Sequence, residues 1–559
     1  MTCTAESVFP PRRRAPRGVA GALFTASALL APSLLAGAAV FNIRDYGASG
    51  RRTDNARASI QQAIDAAAKA GGGTVYLPPG LYTSGTLHLR SHIHVELASG
   101  ATLFAATDPK AFDYGNGTVA SKAALFYGED LEDVSVGGQG VVDGQAEYEW
   151  RPDDFERNFD HKALMQKLGK SLMRSFPRGF PKREVFPHLV WLGRCKSIRM
   201  TGLNFLHASS WTITLTACER VVFDGLYIYT SLKEGVWADG IDLDGCKEVS
   251  IANCAIETGD DCIAIFSADI WGKAVLCENI SITNCRFSSA SAGLKFTEGN
   301  QGGVRNVRVS NTLFNHVNRG VVFMTALGGS ISDVTLENLT INCDRFDWFW
   351  AGDGQPFHFY NARISELDPQ RASPDEAPPG AIRNVTIRNI VARAYGSSLF
   401  YGHAENWIEG LRLENIKLVL CADPTAPFDQ ARHALDFRRV RDLRLKDVEV
   451  LWGWPTLDSW KSALNFEEVK GLELSGVVCQ AAPAPASAPA MSFDRVAGAL
   501  VRGCRALDNT RVFLRVTGAA SKDIRLEGND LARAQIPCEV DKSVGAGVVS
   551  GVEVKTGTP

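Results

Sequence analysis

The sequence predicts an all-β fold, a parallel β-helix, on three observations. A short alternating apolar run followed by an Asn or Gly turn recurs from about residue 130, as in Val249-Ser250-Ile251-Ala252-Asn253-Cys254 and Ile280-Ser281-Ile282-Thr283-Asn284-Cys285. The step between neighbouring runs is usually about 24 to 30 residues, continuing through Val334 to Asn338, Val385 to Asn389 and Leu411 to Asn415. The 52 Gly and only 6 Met argue against a long helical bundle. Period-two alternation means strands. A propeller blade needs four strands and a period of roughly 40 or more, and leucine-rich repeats need a helix in each unit. Coils stacked at about 4.8 Å, each pairing with the next, remain.

Taken in order, the chain opens with Arg12, Arg13, Arg14 and Arg17 ahead of an apolar stretch from Val19 to Leu35, then Ala36-Gly37-Ala38. This pattern predicts an export signal over residues 1–38, with a twin-arginine character. A membrane anchor is the alternative, but the stretch is short for a span and holds Pro32. The expected location is periplasmic or extracellular, with no membrane association after cleavage. Residues 39–559 are expected to form one β-helix domain and to act as a monomer. Ser59 to Ala70 is apolar at helical spacing through Ile60, Ala63, Ile64 and Ala67, which predicts a capping helix over the open end of the solenoid. Residues 148–186 break the repeat and are expected to form an inserted helical excursion on the wall. Gln480 to Met491, rich in Ala and Pro, reads as a flexible loop.

With 559 residues, 45% apolar and 22% charged, the chain can bury a large core, which excludes wholesale disorder. A net charge of −3 gives no basic field, so nucleic acid is not an expected partner. Cys254 and Cys285 close matching phrases, and Cys195, Cys218 and Cys246 open matching ones. Recurrence at one place in a repeat predicts stacked buried thiols, and with no CxxC pair no zinc site is expected.

Chemistry concentrates in one window. Asp239-Gly240-Ile241-Asp242 and Gly259-Asp260-Asp261-Cys262 lie about one coil apart, so Asp239, Asp260 and Asp261 are expected to meet on one face. Clustered carboxylates push their pKa values apart, leaving one protonated as acid and another ionised as base, as glycosidic cleavage requires. The plainer alternative is turn aspartates that bond backbone amides.

The opening Phe41 to Ala48, Gly73 to Gly80, Val142-Asp143-Gly144, His188 to Trp191, Ser210-Trp211 and above all Trp237 to Asp242 and Gly259 to Ile265 resemble the pectinase-like β-helix enzymes. The two aspartate motifs are similar to those of glycoside hydrolase family twenty-eight, the polygalacturonase family, with the likeness running from about 41 to 420. The resemblance implies a right-handed helix and inverting hydrolysis without metal or other cofactor. It makes Asp260 the general acid, with Asp239 and Asp261 holding and activating water. Three departures bear on substrate. Trp237 stands where the family usually has Asn, Ala292 replaces a His, and Val322 and Met324 replace the Arg-x-Lys that grips a uronate. Lys295 and Arg319 could supply positive charge from new positions, and Trp237, Asp242, Glu298 and His403 complete the candidate substrate contacts. Phe346, Trp348, Phe349 and Trp350, near Phe357 and Phe359, could stack on sugars or simply pack a loop. His403 could equally cap a turn.

The expected function is therefore exported hydrolysis of a pectin-like or related polysaccharide or oligosaccharide, including branched, modified or neutral glycans. A polysaccharide lyase and a non-catalytic carbohydrate-binding protein are the alternatives.

Overall fold

The computed structural model describes residues 39–113, 123–146, 187–232, 235, 237–269, 271–346, 354–367, 371–423, 431–483 and 488–557. Residues 1–38, with the expected export signal, and 147–186, with the expected excursion, lie outside the described residues. By its contacts, Ala38–Pro559 is one compact unit.

Alternating strands become a parallel β-helix. One coil runs through His188–Gly193, Lys196–Thr201 and Asn204–Leu206, and the next through Ile213–Thr216, Glu219–Asp224 and Tyr227–Tyr229. First pairs with first, second with second and third with third, always in parallel. Ile213, Ile241, Ile263, Leu294 and Val321 are successive register partners and all are buried. Their neighbours in the chain, Thr214, Asp242, Ala264, Lys295 and Val322, form the parallel row on the opposite face of the strand. That row is the outer wall on which the candidate site is built.

The turns follow from their side chains. Asn253, Asn284, Asn311, Asn338, Asn389 and Asn415 all have φ between 50 and 56°. Asn tolerates this left-handed conformation because its short amide bonds locally. Here the amides also bond between coils: Asn338 Nδ2 donates to Asn311 Oδ1 at 3.1 Å, and Asn389 Nδ2 to Asn338 Oδ1 and Asn415 Nδ2 to Asn389 Oδ1 at 2.9 Å.

Inside, Phe296, Phe323, Phe359, Phe400, Phe437, Phe466 and Phe493 form a column, with successive ring centroids 4.1 to 5.2 Å apart. Phe357 and Phe359 are thus interior residues, not sugar platforms. Trp348, Phe349 and Trp350 lie outside the described residues.

The helix Arg57–Lys69 buries Ile60, Ala63, Ile64 and Ala67, the apolar face expected of a cap, against the first strands. The Ala- and Pro-rich stretch is shorter as a loop than expected. Pro489–Asp494 is a strand, and Met491 pairs in register with Leu464. Met491 and Phe493 face the interior there, so burial overrides a composition that suggests a linker.

All twelve cysteines among the described residues are free thiols, and all but Cys421 are buried. Cys218 lies between Cys195 and Cys246, and Cys254 lies beside Cys285.

Candidate active site

Two turns on successive coils carry the aspartates. Ile241 pairs with Ile263, so Asp239 and Asp261, each two residues earlier, occupy equivalent places and Asp260 is offset by one. Gly240 is needed at the first turn, since a Cβ there would meet the Cys262 carbonyl oxygen at 2.4 Å. A Cβ on Gly259 would meet the Ser231 and Gly235 carbonyl oxygens at the same 2.4 Å. Thr230 ties both turns together: its Oγ1 donates to the Ala238 carbonyl at 3.1 Å and accepts from the Gly259 amide at 3.0 Å. The Asp260 carbonyl accepts from Thr258 Oγ1 at 2.8 Å and Ser289 Oγ at 2.6 Å.

The three carboxylates converge. One oxygen from each of Asp239, Asp260 and Asp261 lies within 4.8 Å of the others. The Asp261 amide donates to Asp239 Oδ1 at 3.2 Å and Asp260 Oδ1 at 3.0 Å, bridging its two neighbours. Asp261 itself accepts from Ser291 Oγ at 2.7 Å and forms an ion pair with Lys295 Nζ at 3.2 Å. Asp242 is fully buried in the outer row, between Thr214 and Ala264.

Burial decides the protonation pattern. It pushes the pKa of Asp260 well above the ordinary carboxylate value, helped by the charge of Asp261, while Lys295 and Ser291 oppose the shift. Asp239 is raised by burial and then by Asp260, Asp242 and Asp261. Asp242 is raised by burial and then by Asp261 and Asp260. Lys295 pulls all three down. One coil before Asp242, Thr214 Oγ1 lies 2.7 Å from His188 Nδ1, and burial holds the pKa of His188 down to about 4, so the imidazole is neutral.

A trio of carboxylates is also a possible metal cage, but Lys295 already supplies a positive charge to this one. The arrangement suits proton transfer: a buried acid whose pKa is raised, beside a carboxylate held by a lysine and a hydroxyl. Its nearest oxygens lie closer than the roughly 6.5–9.5 Å that separates the carboxyl groups of usual inverting pairs.

The other candidate residues divide between the site and the turns around it. Trp237 is partly exposed in the turn leading to Asp239 and has φ 64°, a strained value for a bulky residue. Arg319 is buried on the coil after Lys295, opposite Ala292. His403 sits in a turn, its Nδ1 accepting from the Glu405 amide at 3.1 Å and its Nε2 3.3 Å from Glu366 Oε1. Those bonds are the turn-capping alternative. The side chain of Glu298 lies outside the described residues. Ser291, Thr214 and the role of Lys295 toward Asp261 do not emerge from the sequence motifs. Strand parity places Thr214 and Lys295 on the outer row and is the signal that could have found them.

Comparison with known proteins agrees with this architecture. Residues 178–343 match the family model Glycosyl hydrolases family 28, and residues 40–97 match Rhamnogalacturonase A/epimerase, pectate lyase-like. A probable polygalacturonase of Vitis vinifera is 27% identical over 246 residues, covering 41% of this chain and 45% of that protein. An exopolygalacturonase of Platanus acerifolia is 26% identical over 229 residues, covering 40% and 52%. The chain thus spans about half the length of these curated relatives. The exopolygalacturonase structure from Thermotoga maritima superposes with a TM-score of 0.59 at 22% identity, covering 74% of this chain and 92% of that one. The last likeness speaks for the fold.

Proposed function

We propose that this divergent relative of glycosyl hydrolases family 28 hydrolyses glycosidic bonds of a pectin-type glycan, with the three clustered aspartates as its machinery. The observation that carries the proposal is the convergence of Asp239, Asp260 and Asp261 within 4.8 Å beside the Lys295 ammonium. Asp260, its proton held by burial, donates to the glycosidic oxygen as the bond breaks. Asp239 helps hold a water molecule, and Asp261, ion-paired to Lys295, takes its proton as the water attacks the anomeric carbon. Direct attack by water inverts that carbon.

The short carboxylate spacing favours one rival, a retaining path in which an aspartate is the nucleophile and a glycosyl-enzyme forms. Proton NMR of the first-formed anomer separates the two. The inverted anomer supports direct water attack, and the retained anomer overturns it. A lyase would instead release unsaturated ends absorbing near 235 nm. The proposal extends to export through residues 1–38. N-terminal sequencing of protein recovered outside the cytoplasm should begin just after that segment, and an intact N-terminus there would contradict it.

A further inference from the structure

We infer that the glycosyl unit bound on the Lys295 side of the aspartates is uncharged, so that the site discriminates against uronates. This rests on the proposed hydrolysis and adds the substrate class. The next coil places Val322 in register with Lys295, yet Val322 and Met324 do not face a groove. Both are buried in an apolar cluster with Ala292, Ala362, Ile364 and Leu367. The last two belong to the short helix Ile364–Leu367 laid over the outside of the wall. The chain itself therefore covers the wall beside the aspartates with alkyl side chains.

Among the described residues, Lys295 and Arg363 already hold carboxylates. A uronate that took the ammonium of Lys295 would leave Asp261, whose side chain is only 3% exposed, without its counter-ion. Arg363, on the covering segment, holds Glu405 at 2.6 Å and Glu376 at 3.6 Å. His358, one coil past Val322 on the outer row, adds no charge, since burial and then Arg319 lower its pKa to about 3. The cover is acidic on balance. Glu366, Glu376 and Glu405 gather around Arg363 and His403. A sugar carboxylate approaching here meets like charge from the cover as well as from the aspartates, whereas a hydroxymethyl or ester group meets none of that repulsion.

The test uses oligogalacturonides and the same oligomers after carboxyl reduction, which keeps the linkage and removes the charge. Calorimetric titration of the Asp260→Asn protein should show the reduced oligomer binding at least about tenfold tighter, with a wider gap at low ionic strength. Wild-type kcat/KM should follow the same order, and Glu366→Lys should narrow the gap several-fold at low salt. Equal or tighter binding of the acidic oligomer, binding of neither, or a gap indifferent to Glu366→Lys overturns the inference. Preference for the acid with hydrolysis still dependent on Asp260 refutes this inference alone. Hydrolysis that survives Asp260→Asn refutes the function beneath it.

Discussion

Lys295 Nζ lies 3.2 Å from Asp261 Oδ2, across the junction of two successive coils. That contact makes Asp261 the member of the cluster with a counter-ion of its own, while its neighbours are driven toward protonation by burial. Lys295→Met should therefore lower kcat by roughly a hundredfold, the scale of acid–base contributions. The acid limb of the kcat/KM profile should move to higher pH, with KM little changed, and Lys295→Arg should restore part of the rate. A raised KM with an unmoved pH profile would show instead that the lysine serves substrate binding.

Asp244 gives a stability prediction of defined sign. Burial pushes its pKa up to about 7, against one amide bond from Ala268 at 2.8 Å that lowers it. A raised carboxyl binds its proton more tightly when folded, so the folded state loses stability as pH rises from about 4 to about 7. Asp244→Asn removes that loss. The variant should be more stable than wild type at pH 8, by up to about 4 kcal/mol on a shift of this size, and nearly equal at pH 4. Urea unfolding at the two pH values measures this. A variant less stable at pH 8 would contradict it.

The phenylalanine column ties successive coils together along the solenoid. Phe400 lies 5.0 Å from Phe359 and 4.8 Å from Phe437, ring centre to ring centre, and is fully buried. Phe400→Ala should destabilise by about 3–5 kcal/mol through lost burial and the cavity left behind. Thermal unfolding is the check, and a shift near zero would mean that the column collapses around the gap.

The stacked cysteines are expected to remain thiols. Burial, helped by Cys246 and opposed by Cys195, raises the pKa of Cys218 well above that of a free thiol, which suppresses the reactive thiolate. A reductant should leave the melting temperature unchanged, and the buried thiols, unlike Cys421, should resist alkylation that goes to completion in denaturant. A reductant-sensitive melting temperature would reveal a disulfide.

Much of this architecture is legible in the order of the amino acids. The turn asparagines, the cap helix face and the thiol stacks each recur at a fixed place, and recurrence in a solenoid translates directly into neighbours. The aspartate cluster is legible for the same reason, although the register matches Asp239 with Asp261. What escapes a reading of sequence depends on packing across elements. Parity sends Lys295 outward but does not say which carboxylate it meets. The nearness of Phe357 and Phe359 to an aromatic loop suggests a sugar platform, yet the alternation around His358 turns both inward. The loss of a cationic pair at Val322 and Met324 is visible in the sequence, but the helix Ile364–Leu367 that covers them comes from a fold-back that no local pattern announces.

The most direct test of the aspartate mechanism is the initial rate of reducing-end release by wild-type and Asp260→Asn proteins on a pectic oligosaccharide. The rate should fall by a factor of roughly 10² to 10⁴ with the fold and sugar binding intact. Full hydrolytic activity in Asp260→Asn would contradict the mechanism.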